Sequence, residues 1–383
     1  MYSGFDFALA ERGGKAKPRI ASSAQEFHHA LPLHAKTRAV PCWHPLGSAT
    51  YGVDLPGRGR WRRAVKKPRL LQIARDDAQA VRTELLAGLM APTATIAPKY
   101  LYDALGSRLF SAITELPEYY PTRTEAAIFA RHIEDIAQAL GPVPTLVDLG
   151  AGNCAKAARL FAAFRVRRYV AVDISASYLR ESLEDLQCRH PEIEMLGIGL
   201  DFSEDLSLPV QAGDGSRTLF YAGSSIGNFT PDAALKFLRQ AHAAAQGGAL
   251  LIGVDLLKPI AILETAYDDA LGVTAAFNRN LLRHLNRLAG TDFDIADWRH
   301  VAFFNTAASR IEMHLEALCD VTVTWPGGAR RFAAGERIHT ENSCKWRIDE
   351  FAALLERAGF SRPRHWSDER EWFAVFLAFA GRA

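Results

Sequence analysis

A chain of 383 residues, 49% hydrophobic and 23% charged with a formal net charge of +2, has the composition of a globular protein with room for a large core. No apolar run approaches the ~18 residues of a membrane span, and Asp6 and Glu11 interrupt the N-terminus where a secretory signal is apolar. The five cysteines and twelve histidines fall in no metal-ligand spacing, so a cytoplasmic protein with no metal and no membrane partner is expected.

The charge is unevenly spread. Residues 1–75 carry 14 Lys or Arg against 4 Asp or Glu, a balance of +10, and the rest carry 31 against 39, a balance of −8. The first segment is rich in Gly and Pro without periodicity and reads as a basic, disordered leader. The body shows no basic surface signal for nucleic acid.

From Leu70 to Met90 apolar residues recur at helical spacing, which predicts an amphipathic helix. A loop over 91–103 follows. Residues 106–140 predict two helices separated at Pro117 and Pro121, because two prolines four apart cannot share one regular helix. Tyr119 and Tyr120 lie in that break.

A β–α alternation begins at Thr145. TLVDLGAGNCAK (145–156) reads as a buried strand, a glycine turn and a helix start, where bare backbone and free N–H groups meet a ligand. Two cofactor readings compete. Gly150, Gly152 and Ala155 loosely fit a dinucleotide fingerprint. Asp148, Gly150 and Gly152 fit the D-x-G-x-G of S-adenosylmethionine (SAM) enzymes, and Asp148 favours the second.

Strand 168–175 contains Asp173 at the spacing of a ribose-binding acid. Strand 192–202 ends in Asp201-Phe202, suited to an adenine ring, and strand 217–229 runs into a bend with Asn228. A helix at 231–246 and a strand at 249–257 complete the run. Residues 258–345 interrupt it with a helix at 267–290 and strands at 310–325 and 330–341. Helix 347–360, SRPRHWSD and strand 372–381 then close the sheet as a strand pair. The predicted fold is α/β: a class I, Rossmann-like SAM-methyltransferase sheet, doubly wound, with a mixed α+β cap.

Several strings together resemble the histidine-specific Nα-methyltransferases of ergothioneine biosynthesis. They are KYLYDALGSRLFSAITELPEYYPTRTE (99–125), DLGAGNCAK (148–156), LDF (200–202), GSSIGN (223–228), YDDALGVTAAFNRN (267–280), RIEM (310–313) and TENSCKW (340–346). The resemblance runs from about Leu85 to the C-terminus. It implies a SAM site of Asp148, Gly150, Gly152, Lys156, Asp173, Asp201 and Phe202. It implies an L-histidine site in which Asn228 and Tyr267 take the carboxylate. Tyr119, Glu341 and Ser343 would surround the imidazole, with Met313 beside the ring. Tyr102 would lie near the amine and assist its proton transfer. Asp148 stands where relatives often carry Glu, and Asn342 where an apolar residue can occur.

The expected activity is three methyl transfers from SAM to the α-amino nitrogen of L-histidine, giving hercynine, by a monomer. The domains expected are a leader (1–75), a substrate cap (76–123 with 258–345) and a SAM core (124–257 with 346–383). The rival readings are a same-fold methyltransferase for another amino acid or amine, a nicotinamide-dependent oxidoreductase, and a non-catalytic SAM-binding regulator.

Overall fold

The computed structural model describes residues 66–73 and 77–381. Strand β1 (Arg69–Gln72) opens it, then helices α1 (Ala78–Met90), α2 (Ala104–Ile113) and α3 (Tyr120–Leu140). Alternation follows: β2 (Thr145–Leu149), the short α4 (Ala155–Ala158) and α5 (Phe161–Phe164), β3 (Arg168–Asp173), α6 (Ala176–Arg189), β4 (Glu194–Gly199), β5 (Thr218–Tyr221), α7 (Pro231–Ala244) and β6 (Ala249–Asp255). Helices α8 (Ile260–Tyr267) and α9 (Val273–Ala289) lead to β7 (Trp298–Asn305), β8 (Arg310–Ala317), β9 (Val321–Trp325), β10 (Gly328–Phe332) and β11 (Arg337–Cys344). Helix α10 (Ile348–Arg357), β12 (Phe360–Ser367) and β13 (Phe373–Ala380) complete the described chain.

One eight-stranded sheet has the order β1-β4-β3-β2-β5-β6-β13-β12. Neighbours from β1 to β6 pair in parallel, whereas β13 is antiparallel to both β6 and β12. This is the class I methyltransferase arrangement expected from the sequence. Its central parallel strands are mostly apolar because helices cover both faces, with Asp148 and Asp255 the charged residues buried within them. Val147, Val170, Leu219 and Ile252 pack on one side with Phe237 and Phe351. Leu146, Tyr169, Phe220 and Leu251 pack on the other with Ile136, Phe161 and Leu183.

A third core joins Leu85, Leu101 and Tyr119 to Phe277, Leu281, Trp298, Leu315 and Phe332. It lies between the helices before the sheet and the three-stranded sheet β11-β8-β7. Asp103 stitches these distant pieces. Its Oδ1 caps α2 by accepting the Gly106 N–H and also accepts the Asn280 amide, both at 2.8 Å.

Several boundaries are corrected. The expected helix over 70–90 starts only at Ala78, and Arg69–Gln72 is an edge strand. The expected leader therefore ends in ordered sheet, while residues 1–65 lie outside those described. A short apolar run cannot distinguish strand from helix by periodicity. Leu70 settles the matter by packing over Gly197, where any Cβ would sit 2.5 Å from Leu70 Cδ1.

The expected strand 310–325 is two strands, β8 and β9, and 330–341 splits at a turn with Gly335 at φ 82°. Strand β7 has no counterpart among the expected strands. The strand expected over 217–229 stops at Tyr221, because Ser224 takes a left-handed φ of 59° and Ser225–Asn228 forms a 3₁₀ turn. In β12 a register shift beside Pro363 is tolerated because the strand lies at the sheet edge.

Candidate functional site

The C-terminal end of β2 carries the glycine turn. Gly150 and Gly152 have φ of 73° and 51°, and buried Cys154 has φ 60°. A Cβ on Gly152 would meet nothing within 4 Å, and one on Gly150 would lie 3.8 Å from the Phe202 ring. The turn thus exposes backbone on one side and faces an aromatic ring on the other, which suits a nucleoside-bearing cofactor.

The turn is held by carboxylates. Asp173 accepts the Gly152 N–H at 2.8 Å and the Ser175 N–H at 2.9 Å. Each of its oxygens keeps a lone pair for a ligand. Asp148 is buried and accepts the Tyr169 hydroxyl at 2.7 Å. Burial pushes its carboxyl up to about 7. Lys156 pairs with buried Glu125 at 2.7 Å, and the other Glu125 oxygen accepts the Gly223 N–H at 2.8 Å. Asp201 is paired with Lys99 at 3.2 Å and accepts the Ser203 N–H at 3.0 Å.

Across the carboxyl ends of the strands, three parts of the chain converge on a buried polar cluster. Tyr267, at the end of α8, lies 2.6 Å from Ser343 Oγ of β11. Lys345 Nζ reaches Ser343 Oγ at 2.7 Å, Tyr267 OH at 3.1 Å and Asp255 Oδ2 at 2.8 Å. Asp255 also accepts the Tyr120 hydroxyl at 2.7 Å and pairs with Lys258. The two ammonium groups and their hydrogen bonds hold the Asp255 carboxyl below its ordinary range despite complete burial. Burial pushes Lys258 down to about 8.

Tyr119 packs edge-on to Tyr267 at 6.2 Å between centroids and to Phe110 at 6.1 Å. Phe110 and Phe277 each lie 5.5 Å from Tyr102. Burial, then the Glu341 and tyrosine charges, push the Tyr102 phenol well above its ordinary value. Tyr102 is therefore a neutral hydroxyl near pH 7, able to relay a proton but not to act as a phenolate base.

Glu341 and Met313 are direct partners across β11 and β8. Glu341 is 7% exposed and its Oε2 has no hydrogen-bond partner. Burial, opposed by the Lys345 charge, pushes its carboxyl up to about 8. A buried carboxyl with an unmatched oxygen is costly without a ligand. Asn228 ends the 3₁₀ turn whose Gly227 presses on β11, since a Cβ there would sit 2.9 Å from the Cys344 carbonyl oxygen.

The expected substrate residues thus gather around β11, and the expected cofactor residues around β2, β3 and the segment after β4. Lys345, Asp255, Lys258 and Glu125 are not among the residues the sequence points to, and Tyr120, named only as lying in the proline break, proves to support the pocket through Asp255. A signal for Lys345 was present, because Glu341, Ser343 and Lys345 alternate and so share one face of an extended chain.

The opposite face of the cap sheet brings Glu312, His314 and His339 within 4.8 Å of one another. Arg310 donates to Glu312 at 2.8 Å and Asn305 at 3.0 Å, so this carboxylate is already matched. No helix among the described residues is long and apolar enough to cross a membrane.

Against known proteins, the family model described as histidine-specific methyltransferase, SAM-dependent, matches residues 81–380. The histidine N-alpha-methyltransferase of Mycolicibacterium smegmatis is 42% identical over 308 residues, covering 79% of this chain and 95% of that protein. Its counterpart of the same name from Mycobacterium tuberculosis is 40% identical over 314 residues, covering 78% and 94%. Ergothioneine biosynthesis protein 1 of Schizosaccharomyces pombe is 31% identical over 274 residues, covering 68% of this chain and 35% of that protein.

Proposed function

Because the chain belongs to the family of histidine-specific, SAM-dependent methyltransferases, we propose that its two residue clusters divide the work of methylating the α-amino nitrogen of L-histidine. The chain is a SAM-dependent histidine Nα-methyltransferase of ergothioneine biosynthesis. Three rounds on one nitrogen give hercynine.

SAM supplies an electrophilic methyl on a sulfonium. Gly150 and Gly152 offer their backbone to it, Asp148 and Lys156 its amino-acid end, Asp173 the ribose, and Asp201 with Phe202 the adenine. Tyr267 and Asn228 hold the histidine carboxylate. Glu341, Ser343 and Tyr119 surround the imidazole, and Met313 packs beside it. These roles rest on the family's motifs and on the clustering of the residues in the fold. The helices before the sheet, with residues 258–345, act as the substrate cap over a SAM core.

Displacement at the methyl needs a neutral amine, and a free α-amino group has a pKa near 8. A noticeable fraction is therefore nucleophilic without a strong base. The protein's task is alignment, which accounts for several kcal/mol of barrier. Tyr102, as a neutral phenol, relays the departing proton. The aromatic group Tyr102, Phe110, Tyr119 and Phe277 suits a nitrogen that becomes a quaternary ammonium, because ring faces attract such cations.

The observation that carries the substrate assignment is Glu341, a buried carboxyl with an unmatched oxygen opposite Met313. A charged or polar partner of this kind, buried in a closed site, rejects side chains that cannot complete it. Mass spectrometry of purified protein with SAM and each of the twenty amino acids tests the reading. It expects a gain of three methyl masses on histidine alone, and turnover on another amino acid instead would overturn it. The same reading has the enzyme act as a cytoplasmic monomer with no nucleic-acid partner, which light scattering during gel filtration tests for the assembly state.

A further inference from the structure

Lys345 has its side chain fully buried, and its three N–H groups all have acceptors in place. These are Asp255 Oδ2 at 2.8 Å, Ser343 Oγ at 2.7 Å and Tyr267 OH at 3.1 Å. An ammonium has three donors and no acceptor. Nothing remains to reach a substrate, so Lys345 acts through the two hydroxyls.

Each hydroxyl has one proton and room for two acceptor contacts. Both oxygens accept from Lys345, and they lie 2.6 Å apart, so one must donate to the other. One of the two protons is consumed inside the pair. The pair can therefore show a ligand one donor and one acceptor, never two donors.

The proposal rests on the assignment of the histidine carboxylate to Tyr267 and of the ring to Ser343. A carboxylate accepts only, so Tyr267 must point its proton outward. Ser343 then donates to Tyr267 and turns its remaining lone pair to the ring. We propose that Lys345 is a positioning residue that, by donating to both oxygens, holds the Tyr267–Ser343 pair to one shared proton, so that with the carboxylate on Tyr267 the pocket can offer only an acceptor to a ring N–H.

Asp255 holds Lys345 in turn. It is fixed by Lys258 and the Tyr120 hydroxyl, and its own N–H donates to Ser224 Oγ at 2.8 Å. The chain of contacts runs from the end of β6 to the ring site without any direct touch between Lys345 and histidine. It makes the demand for a ring N–H a property of Lys345 as much as of Ser343.

The test is the preference for L-histidine over β-(thiazol-4-yl)-L-alanine, an analogue of similar shape whose ring has no N–H. Without Lys345 the two oxygens are no longer held to one shared proton, so the hydroxyls can part and Ser343 can donate to a ring nitrogen. Lys345→Met should therefore keep SAM binding, raise KM for histidine more than it lowers kcat, and shrink the preference by about tenfold or more. Lys345→Gln, which keeps a donor without the charge, should fall between. An unchanged preference in a variant that still binds SAM overturns the proposal. Loss of SAM binding in both variants also overturns it, by assigning Lys345 to the fold. Wild-type protein inactive on histidine is a different failure, of the site assignment itself, visible before any variant is made.

Discussion

Glu341 faces Met313 because one extra residue, Thr340, is inserted in β11. The register pairs His339 with His314 and then Glu341 with Met313, so Thr340 has no partner of its own on β8. Its hydroxyl donates to the Met313 carbonyl at 3.1 Å and pins the bulge. Without the insertion, Glu341 would share the face of His339, on the outer side of the cap.

That inward turn makes Glu341 a pH-sensitive element of the free protein. Its carboxyl is raised from the ordinary 4.5 to about 8. Between these values the folded protein holds a proton that the unfolded chain has released. The contribution to stability is thus fully present below the lower value and is lost as pH rises through about 8. Glu341→Gln removes the dependence. Thermal unfolding from pH 5 to 9 should show the variant gaining on wild type as pH rises, and a constant difference would refute the assignment. Histidine turnover by the variant should fall far more than SAM binding.

Tyr120→Phe tests the support beneath the pocket. The hydroxyl donates to Asp255 and accepts from Lys258 at 2.9 Å, all within a buried cluster. Its loss leaves Asp255 short of a donor and should cost about 1–3 kcal/mol of stability, read by denaturant unfolding. A neutral result would mean that water replaces the hydroxyl.

Gly227→Ala tests the contact between the Asn228 turn and β11. The new Cβ would sit 2.9 Å from the Cys344 carbonyl oxygen and 3.2 Å from its nitrogen, and backbone on both sides cannot swing away. Overpacking of this sort costs about 1–3 kcal/mol. KM for histidine should rise with the loss of stability, because the turn is pushed away from Ser343.

Glu125→Ala strips Lys156 and the Gly223 N–H of a shared acceptor at once. SAM affinity, measured by calorimetry, should fall about tenfold or more, because the charge-assisted bond that fixes Lys156 and the anchor of the Gly223 turn are lost together. Histidine affinity at saturating SAM should change less. The reverse order would move Lys156 out of the cofactor site.

The sheet was legible because its parallel strands are nearly continuous apolar runs and the glycine turn follows the first central one. The cap was not. Its strands carry charges on one face, so WRHVAFFN gives no clean alternation and does not read as a strand. Residues 310–325 hid their turn in LCD, which has no Gly or Pro to mark it. Residue types in long strings pointed to Tyr119, Tyr267, Glu341 and Ser343. They could not point to Asp255 or to its bond with Tyr120, which matters because the fold brings together positions 135 residues apart. A bulge leaves no mark in composition either, yet it decides which face Glu341 takes.

The bond between Asp103 and Asn280 closes a separation of 177 residues. A ribosome adding about 5–20 residues per second makes the second partner roughly 10–35 seconds after the first. Throughout that interval Leu101, Phe110 and Tyr119 have no α9 to cover them. The segment before the sheet is therefore made early and completed late, which makes it the part of the nascent chain that most needs protection from self-association. A chain released before residue 290 would carry this sticky surface permanently.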